Sequence, residues 1–178
     1  LIDKKNIFDQ QRWVDSIYSK LSLEEKVGQL FMPMVFTERD SSHFHFTLNL
    51  IKKYKVGGLV FSLGGPVEQT KWLNAFQKES KVPLMTAMDA EWGVAMRLDS
   101  VMPFPWPMTL GAVKDSTLLR KIGKRMGMQE KRLGIHFSFG PTLDINTNPK
   151  NPNVNSLKYH MEGHFKGSKP VSYTHLTL

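Results

Sequence analysis

Cysteine is absent from these 178 residues, so neither a disulfide nor a thiolate metal site can form. That absence does not decide the compartment. No apolar run reaches the roughly 20 residues of a membrane-spanning helix. No signal-peptide pattern opens the chain, which starts at Leu1 and reads as a mature form or an excerpt. The first strand–helix turn carries no Gly-x-Gly-x-x-Gly, and no phosphate-loop lysine motif is present, which disfavours a nucleotide-binding sheet. Acidic residues are the minority: 16 Asp and Glu against 24 Lys and Arg give a net charge of +8. Such a charge invites a nucleic-acid reading. The basic residues are spread out, however. Lys52, Lys53 and Lys55 close one predicted helix, and Lys121, Lys124, Arg125, Lys131 and Arg132 line another with apolar residues between them. Solvated outer helix faces account for these charges, and no nucleic-acid partner is expected.

What is present suffices for one domain of ordinary size: 40% of the residues are hydrophobic. Residues 9–20 read as a lead-in helix with Trp13, Ile17 and Leu21 at helical spacing. Ser22-Leu23-Glu24-Glu25 is a capping-box pattern opening a second short helix with Val27 and Leu30. Residues 30–36 are strand-like. Residues 44–54 fit a helix with Phe44, Leu48 and Ile51 on one face, and Gly57-Gly58 turns into a second buried strand, Leu59-Val60-Phe61. Gly64-Gly65-Pro66 starts a helix whose inward face is Trp72, Leu73 and Phe76. Residues 83–88 form a third strand, and residues 102–107 a proline-stiffened extended stretch. Asp115 caps a long helix with Leu118, Leu119, Ile122, Met126 and Leu133 in step, which Gly134 ends. Residues 135–139 form a fourth strand, and residues 141–152 an Asn- and Pro-rich loop.

Strands alternating with helices mean parallel strands joined by right-handed crossovers. An open doubly wound sheet and a barrel both fit. Without a nucleotide motif the barrel is preferred, although a whole one takes about 250 residues. The expected fold class is therefore α/β, an incomplete (β/α)8 TIM-type barrel of about its first four βα units.

Asp89-Ala90-Glu91-Trp92-Gly93 directly follows the third predicted strand. Barrel active sites lie just past strand C-termini. Carboxylates accept hydrogen bonds from hydroxyls, and aromatic faces pack against apolar ring faces, a combination suited to a sugar. Composition alone favours the plainer reading, a turn whose acids cap the next helix.

Several segments together resemble one family. They are Leu21-Ser22-Leu23-Glu24-Glu25-Lys26-Val27-Gly28-Gln29-Leu30-Phe31, Val56-Gly57-Gly58-Leu59-Val60-Phe61, Asp89-Ala90-Glu91-Trp92-Gly93, Phe104-Pro105 with Thr109-Leu110-Gly111-Ala112, Gly134-Ile135, and Phe139-Gly140-Pro141-Thr142-Leu143-Asp144-Ile145-Asn146 with Asn148-Pro149-Lys150-Asn151-Pro152. In this order they resemble the N-terminal barrel of glycoside hydrolase family 3, and within it most the β-N-acetylhexosaminidase branch. The resemblance runs over about residues 8–152. It implies retaining hydrolysis of a terminal β-linked sugar, with a carboxylate nucleophile and a second group protonating the leaving oxygen. It implies no metal and no organic cofactor; acid, nucleophile and water suffice. The implied partner is a carbohydrate, a β-linked glucosaminide or glucoside.

By this resemblance Asp89 matches the aspartate that holds hydroxyls of the sugar being cleaved, consistent with the strength of charge-assisted bonds. Glu91 is read as orienting the loop. Trp92 stands where many members carry glycine, and a subsite wall and core packing both remain open. Arg97 matches an arginine after the loop, read as a partner for Glu91 or Asp89 that holds the carboxylates ionised. Asp144 ends the fourth strand, where the subsite floor and a capping role are both open. The substrate-binding set is thus Asp89, Trp92, Arg97 and Asp144; no catalytic residue is assigned.

The match stops near Asn153. The family's Arg-Ser-Phe-Gly turn, its Lys-His-Phe-Pro-Gly-His-Gly-Asp acid/base segment and its nucleophile strand have no counterpart here. Residues 1–155 are therefore expected to be family barrel. Residues 156–178 are expected to be a non-family tail, disordered or artefactual, ending in Pro170-Val171-Ser172-Tyr173-Thr174-His175-Leu176-Thr177-Leu178. The expectation is a fragment, inactive alone. A β-glucosidase of the same family and a non-catalytic sugar-binding remnant are the alternatives. A periplasmic or secreted setting is expected over a cytoplasmic one. His160 and His164, four apart around Glu162, lack a His-Glu-x-x-His frame and are not read as metal ligands. His43 and His45 are expected in a loop, and His136 as a core histidine with a backbone partner. The ten methionines read as core filler.

Overall fold

The structure, a computed structural model, describes residues 6–140. Asp144, the Asn-rich loop and the predicted tail lie outside the described residues. The elements run α1 (Ile7–Tyr18), α2 (Leu23–Gly28), β1 (Met34–Val35), α3 (Ser41–Tyr54), β2 (Gly58–Phe61), α4 (Pro66–Glu79), β3 (Met85–Met88), a 3₁₀ turn (Val94–Met96), α5 (Pro107–Gly111), α6 (Ser116–Arg132) and β4 (Phe137–Ser138). Local chemistry sets several boundaries. The Ser22–Glu25 capping box forms reciprocally at the start of α2. Asp40 caps α3 and Asp115 caps α6, each accepting backbone N–H groups of the first turn. Gly134, at φ 72, follows α6 as expected.

The four strands pair in parallel in the order β1-β2-β3-β4. A doubly wound sheet reverses its strand order at a switch point. Here each strand sits beside its sequence neighbour, which is the order of a barrel. The fold is α/β, with the topology of the first four strands of a TIM-type barrel.

Register separates the two faces. Val35 pairs with Phe61, and Phe61 with Met88, and all three are at most 1% exposed. Leu59 and Thr86 share their face. Behind this row Ile51 of α3, Leu73 and Phe76 of α4, and Leu133 and Ile135 complete one core cluster. Phe44 of α3 stacks on Phe76 with ring centroids 4.9 Å apart and meets Trp72 edge-on at 5.2 Å. The other face carries the row Met34–Val60–Ala87–Phe137, with Met85 beside it. Met34, Met85 and Phe137 are 53%, 46% and 48% exposed. A barrel interior is filled by such side chains from all eight strands. Ala87 in the middle of the row is buried and Val60 half-buried, so the exposed apolar area of this face lies at Met34, Met85 and Phe137.

Several sequence expectations are corrected. The first strand is two residues long rather than seven; Leu30 and Phe31 fall in the turn before it and are exposed. α1 forms, but none of its residues is buried, Trp13 included. Residues 102–106 are extended as expected, yet Pro107 opens the unforeseen helix α5, because proline suits the first helical position. His43 and His45 lie in α3, not in a loop, since the Asp40 cap starts the helix earlier. His136 has its backbone partner, the Thr86 N–H donating to Nδ1 at 3.1 Å, but it is exposed rather than in the core. The cations of α6 named above face solvent.

One buried acid stands out. Glu130 of α6 is 4% exposed, and burial raises its carboxyl above the ordinary 4.5, partly offset by a hydrogen bond with Ser138. The folded state therefore binds more protons than the unfolded state above that ordinary value. The stabilisation is complete below it and is lost as pH rises through the raised folded pKa. Glu130→Gln keeps the shape and sheds the charge. It is expected to stabilise the chain at pH 8 by on the order of 1 kcal/mol, about 2–4 °C in Tm, and to have little effect near pH 4. Thermal unfolding at the two pH values measures this, and a variant less stable than the parent at pH 8 contradicts it.

Candidate functional site

Parallel pairing brings all four strand C-termini to one edge, and backbone bonds knit the loops that leave them. Beyond β1, the Thr37 N–H donates to Leu63 O at 2.9 Å, beyond β2. Beyond β3, the Asp99 N–H donates to Gly64 O at 3.0 Å, and the Phe139 N–H after β4 donates to Met88 O at 2.9 Å. Gly140 lies directly on the Glu91 backbone, where an added Cβ would come within 2.8 Å of Glu91 Cα. Thr37, Leu63, Gly64, the segment 89–99 and Gly140 thus form one connected rim.

Asp89 is the first residue after β3 and occupies this rim, its side chain 37% exposed. Its fixation is local and double. Arg97 Nε donates to the Asp89 carbonyl at 3.0 Å, and Arg97 Nη2 pairs with Asp89 Oδ2. A planar guanidinium can grip main chain and carboxylate together; an ammonium offers no such fork. Arg97 reaches back because the chain folds tightly between the two residues. The Gly93 N–H bonds Ala90 O at 2.9 Å, and the Arg97 and Leu98 N–H groups both bond Val94 O. Gly93 carries the required φ of 95, and a side chain there would also meet Phe104 Cδ2 at 2.9 Å. Val94 and Leu98 are buried beneath the turn.

Trp92 is half-buried, and its ring lies 5.7 Å from that of Trp106 at a 35° tilt. Trp106 comes from the proline-stiffened stretch before α5 and is 39% exposed. Buried Phe104 against Gly93 holds that stretch to the loop. The structure therefore brings together Asp89, Arg97 and Trp92. It pairs Arg97 with Asp89, one of its two expected partners. Asp144 falls outside the described residues. Trp106 escaped the sequence reading; its signal was an aromatic residue flanked by Pro105 and Pro107. Among the described residues no group of three His, Cys, Asp or Glu is placed to hold a metal, and no helix is long and apolar enough to cross a membrane.

Known proteins resemble this chain in sequence and fold. The profile described as Glycosyl hydrolase family 3 N terminal domain matches residues 22–165. A β-N-acetylglucosaminidase/β-glucosidase of Cellulomonas fimi is 25% identical over 147 residues, covering 83% of this chain and 25% of that protein. β-Hexosaminidase A of Pseudoalteromonas piscicida is 29% identical over 119 residues, 60% of this chain and 20% of that protein. The chain thus spans a quarter or less of the length of these curated relatives. Among solved structures, the β-glucoside phosphorylase BglX bound to 2FGlc superposes with a TM-score of 0.71 at 24% identity, over 85% of this chain and 26% of that one. A glycosyl hydrolase of the same family from Mycobacterium smegmatis gives 0.61 at 19% identity, over 82% and 43%. At these identities the structural likenesses speak to fold. The profile match spans most of the chain and takes in the Asp89 loop, and on that ground the chain belongs to glycosyl hydrolase family 3, within its N-terminal domain.

Proposed function

We propose that this chain is the sugar-holding part of a retaining β-N-acetylhexosaminidase, whose nucleophile and acid/base segments lie outside these 178 residues. The observation that carries the reading is Asp89 at the end of β3, its carboxylate oriented by Arg97 on the rim where barrel enzymes bind substrate. In this reading Asp89 accepts hydrogen bonds from hydroxyls of the terminal sugar. Arg97 is a positioning residue, and the Trp92–Trp106 pair forms an apolar wall for the ring face. The hexosaminidase type is supported by two relatives, both of which carry hexosaminidase activity in their names. The dual name of the Cellulomonas relative supports a β-glucosidase as the second reading. A periplasmic or secreted setting goes with action on glycans outside the cytoplasm.

Saturation-transfer NMR reads weak sugar binding directly. Methyl N-acetyl-β-glucosaminide is expected to bind the chain more tightly than methyl β-glucoside, and the reverse order selects the second reading. Asp89→Asn loses a charge-assisted acceptor and is expected to weaken binding about ten- to hundredfold. Unchanged binding by that variant removes Asp89 from the subsite.

Arg97→Lys keeps the charge but cannot hold the carbonyl and the carboxylate together, and is expected to weaken binding about five- to tenfold while the fold persists by circular dichroism. Aryl β-N-acetylglucosaminide and aryl β-glucoside are both expected to survive incubation with the chain. Turnover that disappears in Asp89→Asn would mean a catalytic pair resides within these residues.

A further inference from the structure

We propose that His43 is a proton-operated latch on the first rim loop: neutral, it holds residues 36–40 against the sheet, and protonated, it releases them. His43 sits in the first turn of α3, and its Nε2 accepts the backbone N–H of Phe36 at 3.1 Å. Phe36 is the first residue past β1, where the chain leaves the sheet. An accepting Nε2 requires the neutral ring with its proton on Nδ1. A second proton would turn that acceptor into a donor facing a donor, and the bond would be lost. The Arg39 N–H to Phe36 O bond at 3.3 Å closes the turn, and Thr37 N–H to Leu63 O ties it to the next loop. The latch therefore bears on the rim to which Asp89 belongs.

The surroundings favour the neutral ring. Aromatic residues pack around it: Phe36 at 5.9 Å, Phe46 at 6.5 Å in a stacked arrangement, and Trp72 of α4 at 6.2 Å. Burial among them, with the Arg39 charge second, lowers the imidazole below its ordinary 6.5, and Asp40 opposes in part. Arg39 lies over the Phe36 ring at 4.2 Å, while Asp40 spends its carboxylate on the Ser42 and His43 N–H groups of the helix start. From α4 the neighbour is neutral Trp72; the charged residues flanking it in sequence, Glu68 and Lys71, pair with each other at 3.1 Å. The folded state thus binds its proton later than the unfolded state as pH falls. The latch contributes stability that is complete above 6.5 and is lost as pH falls through the folded pKa.

The test is a ¹H–¹⁵N titration of the labelled chain from pH 8 to 5. The Phe36 amide proton is expected to shift upfield with the same midpoint as the His43 ring, below 6.5. Its hydrogen-exchange protection, corrected for the intrinsic pH dependence, is expected to fall about tenfold. His43→Gln supplies an amide oxygen that accepts without titrating, so the transition should vanish, whereas His45→Gln should leave it intact. A Phe36 amide that does not titrate, or one that keeps its midpoint in His43→Gln, overturns the latch. Should His43→Gln fail to fold, coincidence of the two midpoints in the parent chain decides.

Discussion

Parallel register is the constraint on which the rest depends. Pairing Met34 with Val60, Val60 with Ala87 and Ala87 with Phe137 aligns four strand C-termini on one edge. Loops that leave neighbouring parallel strands emerge side by side, close enough to exchange backbone hydrogen bonds. The Thr37–Leu63 and Asp99–Gly64 bonds follow from that closeness. The same register sends Val35, Phe61 and Met88 to the helix side, where aromatic packing between α3 and α4 fixes the outer layer.

On this rim the Asp89–Arg97 unit is self-contained. Both members lie in one short segment, and the turn between them is set by Gly93, Val94 and Ala90. An ion pair this exposed contributes little to stability in water. Its consequence is orientation: Arg97 holds one carboxylate oxygen and the carbonyl of the same residue, which limits rotation of the side chain relative to its strand. A carboxylate with a fixed direction loses less freedom when hydroxyls bind to it. The Trp92–Trp106 contact adds a second tie between this loop and the stretch leading to α5.

The sequence was most legible where structure is local. The Ser22–Glu25 box, the Asp115 cap and the Gly134 stop each depend on a few adjacent residues, and each forms. The alternation of strands and helices gave the class, and the absence of nucleotide motifs pointed to a barrel. Failures came where a local pattern does not name its partner. The apolar stripe of α1 reports an amphipathic helix but not what covers it, and in the described residues it stays exposed. The apolar run at residues 30–36 looks like one strand, yet only Met34 and Val35 enter the ladder, while Phe31 and Pro33 reach residues 57–60 through carbonyl bonds alone. At the site, the motif placed Asp89 correctly after its strand. The choice between Glu91 and Asp89 as the partner of Arg97 needed three dimensions, as did the meeting of Trp92 and Trp106 across 14 positions.

The two faces of the sheet divide the work of the site. The bonds that shape the rim run between adjacent strand ends, and the turn beneath Asp89 rests on Val94, Leu98 and Phe104. None of these contacts needs the wall opposite the sheet. Met34, Met85 and Phe137 do need it, because apolar side chains of a barrel interior are buried only by strands facing them. The Asp89 carboxylate can therefore be set in place by four strands. The shape of the rim and the burial of the inner face are thus physically separable in this architecture, the first resting on neighbouring strands and the second on the closure of the barrel.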